Sequence, residues 1–413
     1  MKWVKKSQKE IKEQIFNALN KNVNYQNESI IGLPGSILDE KVFNQDRFDL
    51  SEAPFLASFL LNPNHIGCHT LGSSESFFAG TQEIEREVIS ICSDTILKGY
   101  PEEFDGYIAS GGTEANIQAI WLYRNYYKCE KDALSSEIAV LCSEDSHYSM
   151  DKGANLLDIS IFKVKVDFET REISKESVKN EVLKAKAKGV KYFIVVSNMM
   201  TTMFGSVDCI DTYVDVLKEE KCDFKLHIDG AFGGFYYPFS KLEHNTINFK
   251  NPNVSSVTLD AHKMAQAPYG TGIFIARKNL IQYTTTQEDS YVEGEDCTLI
   301  GSRSGANAIA IWMILTTYGP NGWMEKIFVL QKRTDYLCEK LKELNVEFYR
   351  HPYSNIVTMK EKFISKEIAN EFGLIPDNHH APQWYKIVVM DHVTLEKLNP
   401  FLLKLKSELI GLK

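Results

Sequence analysis

Between residues 106 and 280, short β-rich runs alternate with longer helical stretches, and few folds accommodate that rhythm. The runs are Gly106–Ala109, Ile138–Cys142, Ile161–Val164, Tyr192–Ser197, Lys225–Ile228, Ser256–Leu259 and Gly272–Ala276. Helical periodicity fills gaps between them at Thr113–Tyr127, Lys175–Lys188 and Asp211–Lys221. Strands separated by helices pair in parallel, and the helices cover both faces of the sheet. The expected class is therefore α/β, built on a mainly parallel seven-stranded sheet. After about residue 305 come two helices, Ala306–Thr317 and Gly322–Leu344, then short strands and helices that suit a small α+β unit. Ahead of the sheet, Ile11, Ile15, Phe16 and Leu19 stand at helical spacing, which predicts an amphipathic helix over 7–20. Residues 21–80 are richer in Asn, Ser, Gly and Pro and read mostly as loops. Thr81, ahead of Glu83, Ile84, Val88, Ile89 and Ile91, reads as the cap of a further helix.

Charge and cysteine usage narrow the function classes. A net charge of −9 argues against a phosphate backbone as partner, because nucleic-acid binders usually carry a basic face. Eight cysteines are scattered without a CxxC pair, which fits neither a zinc site nor a disulfide framework. Reduced thiols in a cytoplasmic protein are the expectation, with no metal. The start, Met1-Lys2-Trp3-Val4-Lys5-Lys6, lacks the apolar stretch of a signal peptide, and no segment is long and apolar enough to span a membrane.

In an open parallel sheet, ligands bind at the carboxyl ends of the strands, and the polar residues of interest fall at such ends. Ser110-Gly111-Gly112-Thr113-Glu114 joins a strand to a helix. Its glycines let backbone approach an anion, and a helix start offers N–H groups; the alternative is an ordinary turn with Thr113 as N-cap. His147 follows the run Ile138–Cys142, where an imidazole can stack on a pyridine ring or occupy a surface loop. Thr201 and Thr202 follow Tyr192–Ser197, where local capping is an equally simple reading. Asp229 ends an apolar run ahead of Gly230-Ala231. A carboxylate there would be partly buried and would need a partner, which a protonated ring nitrogen or a helix start can supply. Ala231 is small enough to lie flat beneath a ring. Lys263 ends Thr258-Leu259-Asp260-Ala261-His262-Lys263. An amine among apolar neighbours has its charge disfavoured and becomes nucleophilic, and the adjacent His262 can reach a phosphate.

Taken in order, Gly-Gly-Thr, His, Thr-Thr, Asp-x-Ala and His-Lys at successive strand ends resemble the group II pyridoxal 5′-phosphate (PLP) dependent decarboxylases of fold type I. That family includes the aromatic-amino-acid, histidine, glutamate and archaeal tyrosine/aspartate decarboxylases. The likeness runs from about residue 75 to 315 and more weakly to the C-terminus. Asp260-Ala261-His262-Lys263-Met264 and Gly301-Ser302-Arg303-Ser304-Gly305 look most like the shorter bacterial and archaeal members. The resemblance implies an N-terminal segment over 1–75 that makes dimer and substrate contacts, a PLP-binding large domain over 76–304 and a small α+β domain over 305–413. It implies that Lys263 holds PLP as an imine, Asp229 pairs with the ring nitrogen, Ala231 lies under the ring and His147 stacks above it. Gly112, Thr113 and His262 would bind the phosphate, and Thr202 would contact the cofactor nearby. The family carries a proton-donating tyrosine on a loop matching Glu288-Asp289-Ser290-Tyr291-Val292-Glu293-Gly294, which assigns Tyr291; an ordinary loop tyrosine is the alternative. Asp260 stands where several relatives have Asn or Ser, and its role stays open.

The implied reaction converts an L-amino acid to its amine and CO2 in a homodimer with interface active sites. A carbon–carbon lyase of the sphingosine-phosphate lyase type is the rival on the same scaffold, since Ala267-Pro268-Tyr269-Gly270 also resembles that branch. An aminotransferase fits less well, because arginine is sparse late in the chain. A relative that has lost catalysis would not be expected to keep Lys263, Asp229 and His147 together. Substrate choice stays open between small acidic and aromatic amino acids. His65, His69, Ser302 and Arg303 are the candidate residues for reading the side chain.

Overall fold

The computed structural model describes residues 2–23, 28–32, 39–43, 50–60, 65–66, 76–285 and 295–411. The first helix, α1 (Gln8–Lys21), is closed at its start by Ser7 and Glu10, whose side chains each accept from the other's backbone. It buries Ile11, Ile15 and Leu19 against α2 (Ala79–Ser90). Thr81 does not cap α2. The oxygen that meets its free N–H groups belongs to Asn22, whose Oδ1 accepts from Gly80 N at 2.9 Å and Thr81 N at 3.3 Å. The end of one helix thus caps the start of another, a pairing that local sequence does not announce.

The large sheet uses β1 (Phe104–Ala109), β2 (Ile138–Ser143), β3 (Ser160–Val164), β4 (Tyr192–Asn198), β5 (Asp223–Gly230), β6 (Val254–Asp260) and β7 (Gly272–Arg277). Their spatial order is β1-β7-β6-β5-β4-β2-β3. All neighbours run parallel except β7, which is antiparallel to both β1 and β6. All seven runs read from the sequence are strands of this sheet. Most central strands are buried along their length, so they read as continuous apolar runs rather than alternating ones. The helices α3 (Gly112–Lys131), α4 (Ser149–Leu156), α5 (Lys175–Ala187) and α6 (Ile210–Glu219) lie over it.

The two C-terminal helices expected from the sequence are one assigned span, α7 (Gly305–Glu343), broken where Gly319 takes φ 62° ahead of Pro320. Proline removes a backbone donor and crowds the preceding turn, which explains the break. Residues of α7 up to Leu330 are buried in the large core, whereas Leu337, Cys338 and Leu341 belong to the small one. The small unit is an antiparallel sheet of β8 (Phe348–Tyr349), β9 (Ile356–Lys360), β10 (Ile375–Pro376) and β11 (Trp384–Val388), ordered β8-β9-β11-β10 and packed under α8 (Lys366–Glu371) and α9 (Leu395–Gly411). No helix among the described residues is long and apolar enough to cross a membrane.

Candidate active site

A cavity of about 350 Å³ opens at the carboxyl ends of the parallel strands. Its wall includes Gly112, Thr113, His147, Thr202, Asp229, Ala231, His262 and Lys263, which stand at or just beyond the carboxyl ends of five separate strands. The fold brings together every one of these sequence-selected residues. Tyr291 and His69 lie outside the described residues. His65 is seen only as backbone, pairing with Ser304 in a two-residue ladder.

Gly111 precedes α3 with extended backbone and no side-chain cap, so Thr113 is not the N-cap but sits within the first turn. Ser110 N and Oγ both donate to Glu114 Oε2 at 2.6 Å, which fixes the loop from inside the helix. A Cβ at Gly112 would come 3.0 Å from both Ala231 Cβ and Asp260 Oδ2, so a side chain there would close the cavity floor. Asp229 is 7% exposed. Its Oδ1 accepts from Ala231 N at 3.1 Å and its Oδ2 from Asn116 Nδ2 at 3.0 Å. Burial pushes His147 below the usual imidazole range, and nearby Lys263 pushes the same way against the opposing pull of Asp229.

Asp260, whose role the sequence left open, is 2% exposed and stands between the side chains of His262 and Lys263. Its Oδ2 is 3.4 Å from Lys263 Nζ and its Oδ1 is 2.9 Å from His262 Nδ1. The Asp260–His262 contact is close but poorly aligned, so both atoms lack a hydrogen-bond partner. The unpartnered His262 Nδ1, the glycine floor and the helix start suit an anionic group, whereas Asp260 Oδ1 suits a donor. His262 stacks on Tyr269 at 5.0 Å and 29°, which holds its ring at the rim.

Several residues escaped the sequence reading because only long-range contacts reveal them. Asn116 reaches Asp229, while Lys386 of β11 donates to Thr202 O at 2.7 Å and has its ammonium disfavoured by burial and by Lys263. Arg303 does not line the cavity. Its guanidinium pairs with Glu85 in the core, and Glu85 also accepts from Ile108 N at 2.7 Å. Losing one partner of such a buried pair costs roughly 3–5 kcal/mol, so Arg303 is committed to structure. Gln118 Nε2 donates to Thr284 Oγ1 at 3.0 Å and Cys297 O at 2.7 Å, joining the chain on either side of the segment that contains Tyr291.

Asp208 lies behind the wall, accepting from Asn198 N and Nδ2 at 2.8 Å each. Burial pushes its carboxyl up to about 7 from an ordinary 3.8, despite those donors. Between these values the folded chain keeps a proton that the unfolded chain releases, so stability falls as pH rises through the window and is level above it. Asp208→Asn fixes the neutral form. Urea unfolding at pH 5 and pH 7 is expected to show the variant gaining on the parent by up to about 1.4 kcal/mol per pH unit. Parallel stabilities at both pH values would contradict this.

Comparison with known proteins decides the family. The pyridoxal-dependent decarboxylase conserved domain matches residues 64–354. The chain belongs to this family. It is a PLP-dependent enzyme that decarboxylates an amino acid. Among its relatives, tryptophan decarboxylase of Clostridium sporogenes is 51% identical, covering 98% of this chain and 97% of that one. L-aspartate/L-glutamate decarboxylase of Pyrococcus horikoshii is 29% identical over 92% of this chain and 98% of the relative. L-methionine decarboxylase from Streptomyces sp. 590 superposes with a TM-score of 0.70 at 21% identity, covering 83% and 86% of the two chains. Sphingosine-1-phosphate lyase of Burkholderia pseudomallei gives 0.69 at 17%, covering 80% and 77%. At such identities these structures establish the decarboxylase's fold type I architecture alone. The unpartnered His262 Nδ1 and the Gly112 floor fit a cofactor's anionic group, and the buried Asp229 fits its basic ring nitrogen.

Proposed function

We propose that this decarboxylase acts on an aromatic L-amino acid of the tryptophan class, releasing the arylalkylamine and CO2. The observation that carries the reading is the 51% identity, over nearly the whole of both chains, to a tryptophan decarboxylase. The commitment of Arg303 to Glu85 supports it, because an acidic substrate needs a cation to read its side-chain carboxylate and this candidate is occupied. The chemistry PLP supplies is an electron sink for the bond to the departing carboxylate.

The chain's own residues orient that chemistry. Lys263 Nζ would hold the cofactor covalently, with Asp260 Oδ2 3.4 Å away to steer the amine. Asp229 accepts from the ring nitrogen, with its carboxylate fixed by Ala231 N and Asn116 Nδ2. Ala231 supports one ring face and His147 the other. Gly112, Thr113 and His262 bind the phosphate, and Thr202 closes the wall beside Lys386. Together these residues would orient the substrate so that its departing carboxylate meets that electron sink. Tyr291 or His147 then returns a proton to Cα. A homodimer with the 281–300 loop of one subunit over the other's site, in the cytoplasm, completes the reading. It draws on the family resemblance and on the seven described cysteines, all free. The N-terminal segment over 1–75, the large domain over 76–304 and the small domain over 305–413 are its units.

The test is separate incubation of the holoenzyme with tryptophan, tyrosine, phenylalanine, aspartate and glutamate, following amine release. Tryptamine is the expected fastest product. Faster release of β-alanine or γ-aminobutyrate would overturn the substrate assignment.

A further inference from the structure

Buried hydrogen bonds behind the cavity have only one consistent direction. As a carboxylate, Asp229 only accepts, so the atom Asn116 turns to it is Nδ2, at 3.0 Å. Asn116 Oδ1 therefore faces His227 Nε2 at 3.1 Å, and that nitrogen must carry a proton. His227 is fully buried and burial pushes its imidazole down to about 3, so the ring is neutral and its Nδ1 is bare. Ser256 Oγ accordingly donates to Nδ1 at 2.7 Å while accepting from Tyr123 OH at 2.6 Å. Thr258 Oγ1, at 3.1 Å from Nε2, is a second acceptor for that same N–H.

The second hydrogen of Asn116 Nδ2 goes to Ser149 Oγ at 3.0 Å. The Ser149 hydroxyl, accepting from Asn116, keeps its own proton for His147 Nδ1 at 2.9 Å. Ser149 N points at the same nitrogen from 3.3 Å. The backbone N–H can only donate, so His147 Nδ1 accepts and the hydroxyl beside it turns its proton the same way.

We propose that Asn116 and Ser149 are positioning residues that hold His147 as the neutral Nε2–H tautomer, so that the nitrogen left for the substrate is a hydrogen-bond donor. One buried amide then serves both sides of the cofactor plane, orienting Asp229 through one hydrogen and setting the polarity of His147 through the other. A bare Nε2 would be a base, unsuited to return a proton to Cα. The charged groups that face His147 are Asp229 and Asp260, which favour its protonation, and Lys263 and Lys152, which oppose it. Ser149 adds a local dipole to the second pair. This inference rests on the reading of the cavity as the PLP site.

The experiment is long-range proton–nitrogen correlation on the 15N-histidine-labelled holoenzyme, with His147→Gln used to assign the signal. The parent is expected to show His147 neutral with its proton on Nε2. Ser149→Ala removes one donor, and His147 should then bind a proton about tenfold more tightly, the worth of a single hydrogen bond, with the Nδ1–H form appearing. The acid limb of the pH–kcat profile should move upward by the same factor. Ser149→Thr restores the hydroxyl and should restore both readouts. A parent signal with the proton on Nδ1, or a Ser149→Ala spectrum identical to the parent, overturns the proposal. The nitrogen signals report the tautomer with or without the cofactor absorbance band. Absence of that band in the parent would count against the PLP site and leave the tautomer result standing.

Discussion

Lys263→Ala is expected to abolish the absorbance of covalently held cofactor and to lower amine release by roughly 10⁴-fold or more, because both attachment and pre-organisation are lost. The lysine stands on the loop after β6, 33% exposed, with Asp260 Oδ2 3.4 Å away. Lys263→Arg is the informative companion. It keeps a cation beside Asp260 but has no amine that can condense with an aldehyde, so it should fail equally in absorbance and turnover. Removing the ligand also removes its stabilisation of the folded state, about 2.7 kcal/mol when free cofactor stands at a hundredfold its dissociation constant. A thermal scan of parent and variant with excess PLP should therefore separate them by a few degrees. An alanine variant that retains turnover would remove the covalent role from this residue.

Asp229→Asn is expected to lower kcat by about 10²- to 10³-fold, the range typical of losing one preorganised electrostatic partner at a reacting centre. Asparagine keeps the volume but has a single acceptor oxygen, so it can accept from Ala231 N or from Asn116 Nδ2 and not from both. It has no charge with which to hold a ring nitrogen protonated. KM should change far less than kcat, since the carboxylate acts on the electron sink rather than on substrate binding. Asp229→Glu keeps the charge and should lose less than asparagine. Equal rates for the asparagine variant and the parent would show that ring protonation does not depend on Asp229.

The sheet was legible in the sequence because its strands are buried on both faces and stand out as apolar runs between helical periods. Its strand ends were legible for the same reason, and Gly112, His147, Asp229, His262 and Lys263 were picked out by their joint order at successive strand ends and by the family resemblance, each being unremarkable alone. What escaped notice depends on contacts between distant segments. Asn116 is an unremarked polar residue inside a helix, yet it meets Asp229 across 113 positions. Asp260 acquires meaning only when its carboxylate is seen between His262 and Lys263. Thr81 had the right residue type for a cap, but Asn22 performs that task from another helix. Arg303 has the chemistry of a substrate reader, and only the fold reveals that Glu85 already holds it.

The one reversed strand, second from the edge of the sheet, has a bearing on how Lys263 is anchored. Because β7 runs back alongside β6, the chain leaves Asp260 and returns at its paired neighbour Gly272 without a helical crossover. Ala261 N donates to Thr271 O at 2.8 Å and Ala267 N to Ala261 O at 3.0 Å, cinching the loop at its neck. The backbone under Lys263 is therefore a short tether with both ends nailed to the same pair of strands, and the side chain alone provides reach. Extra residues inserted into 261–271 would lengthen that leash and misplace the amine, whereas the same insertion in the exposed turn at 242–245 would leave it where it is.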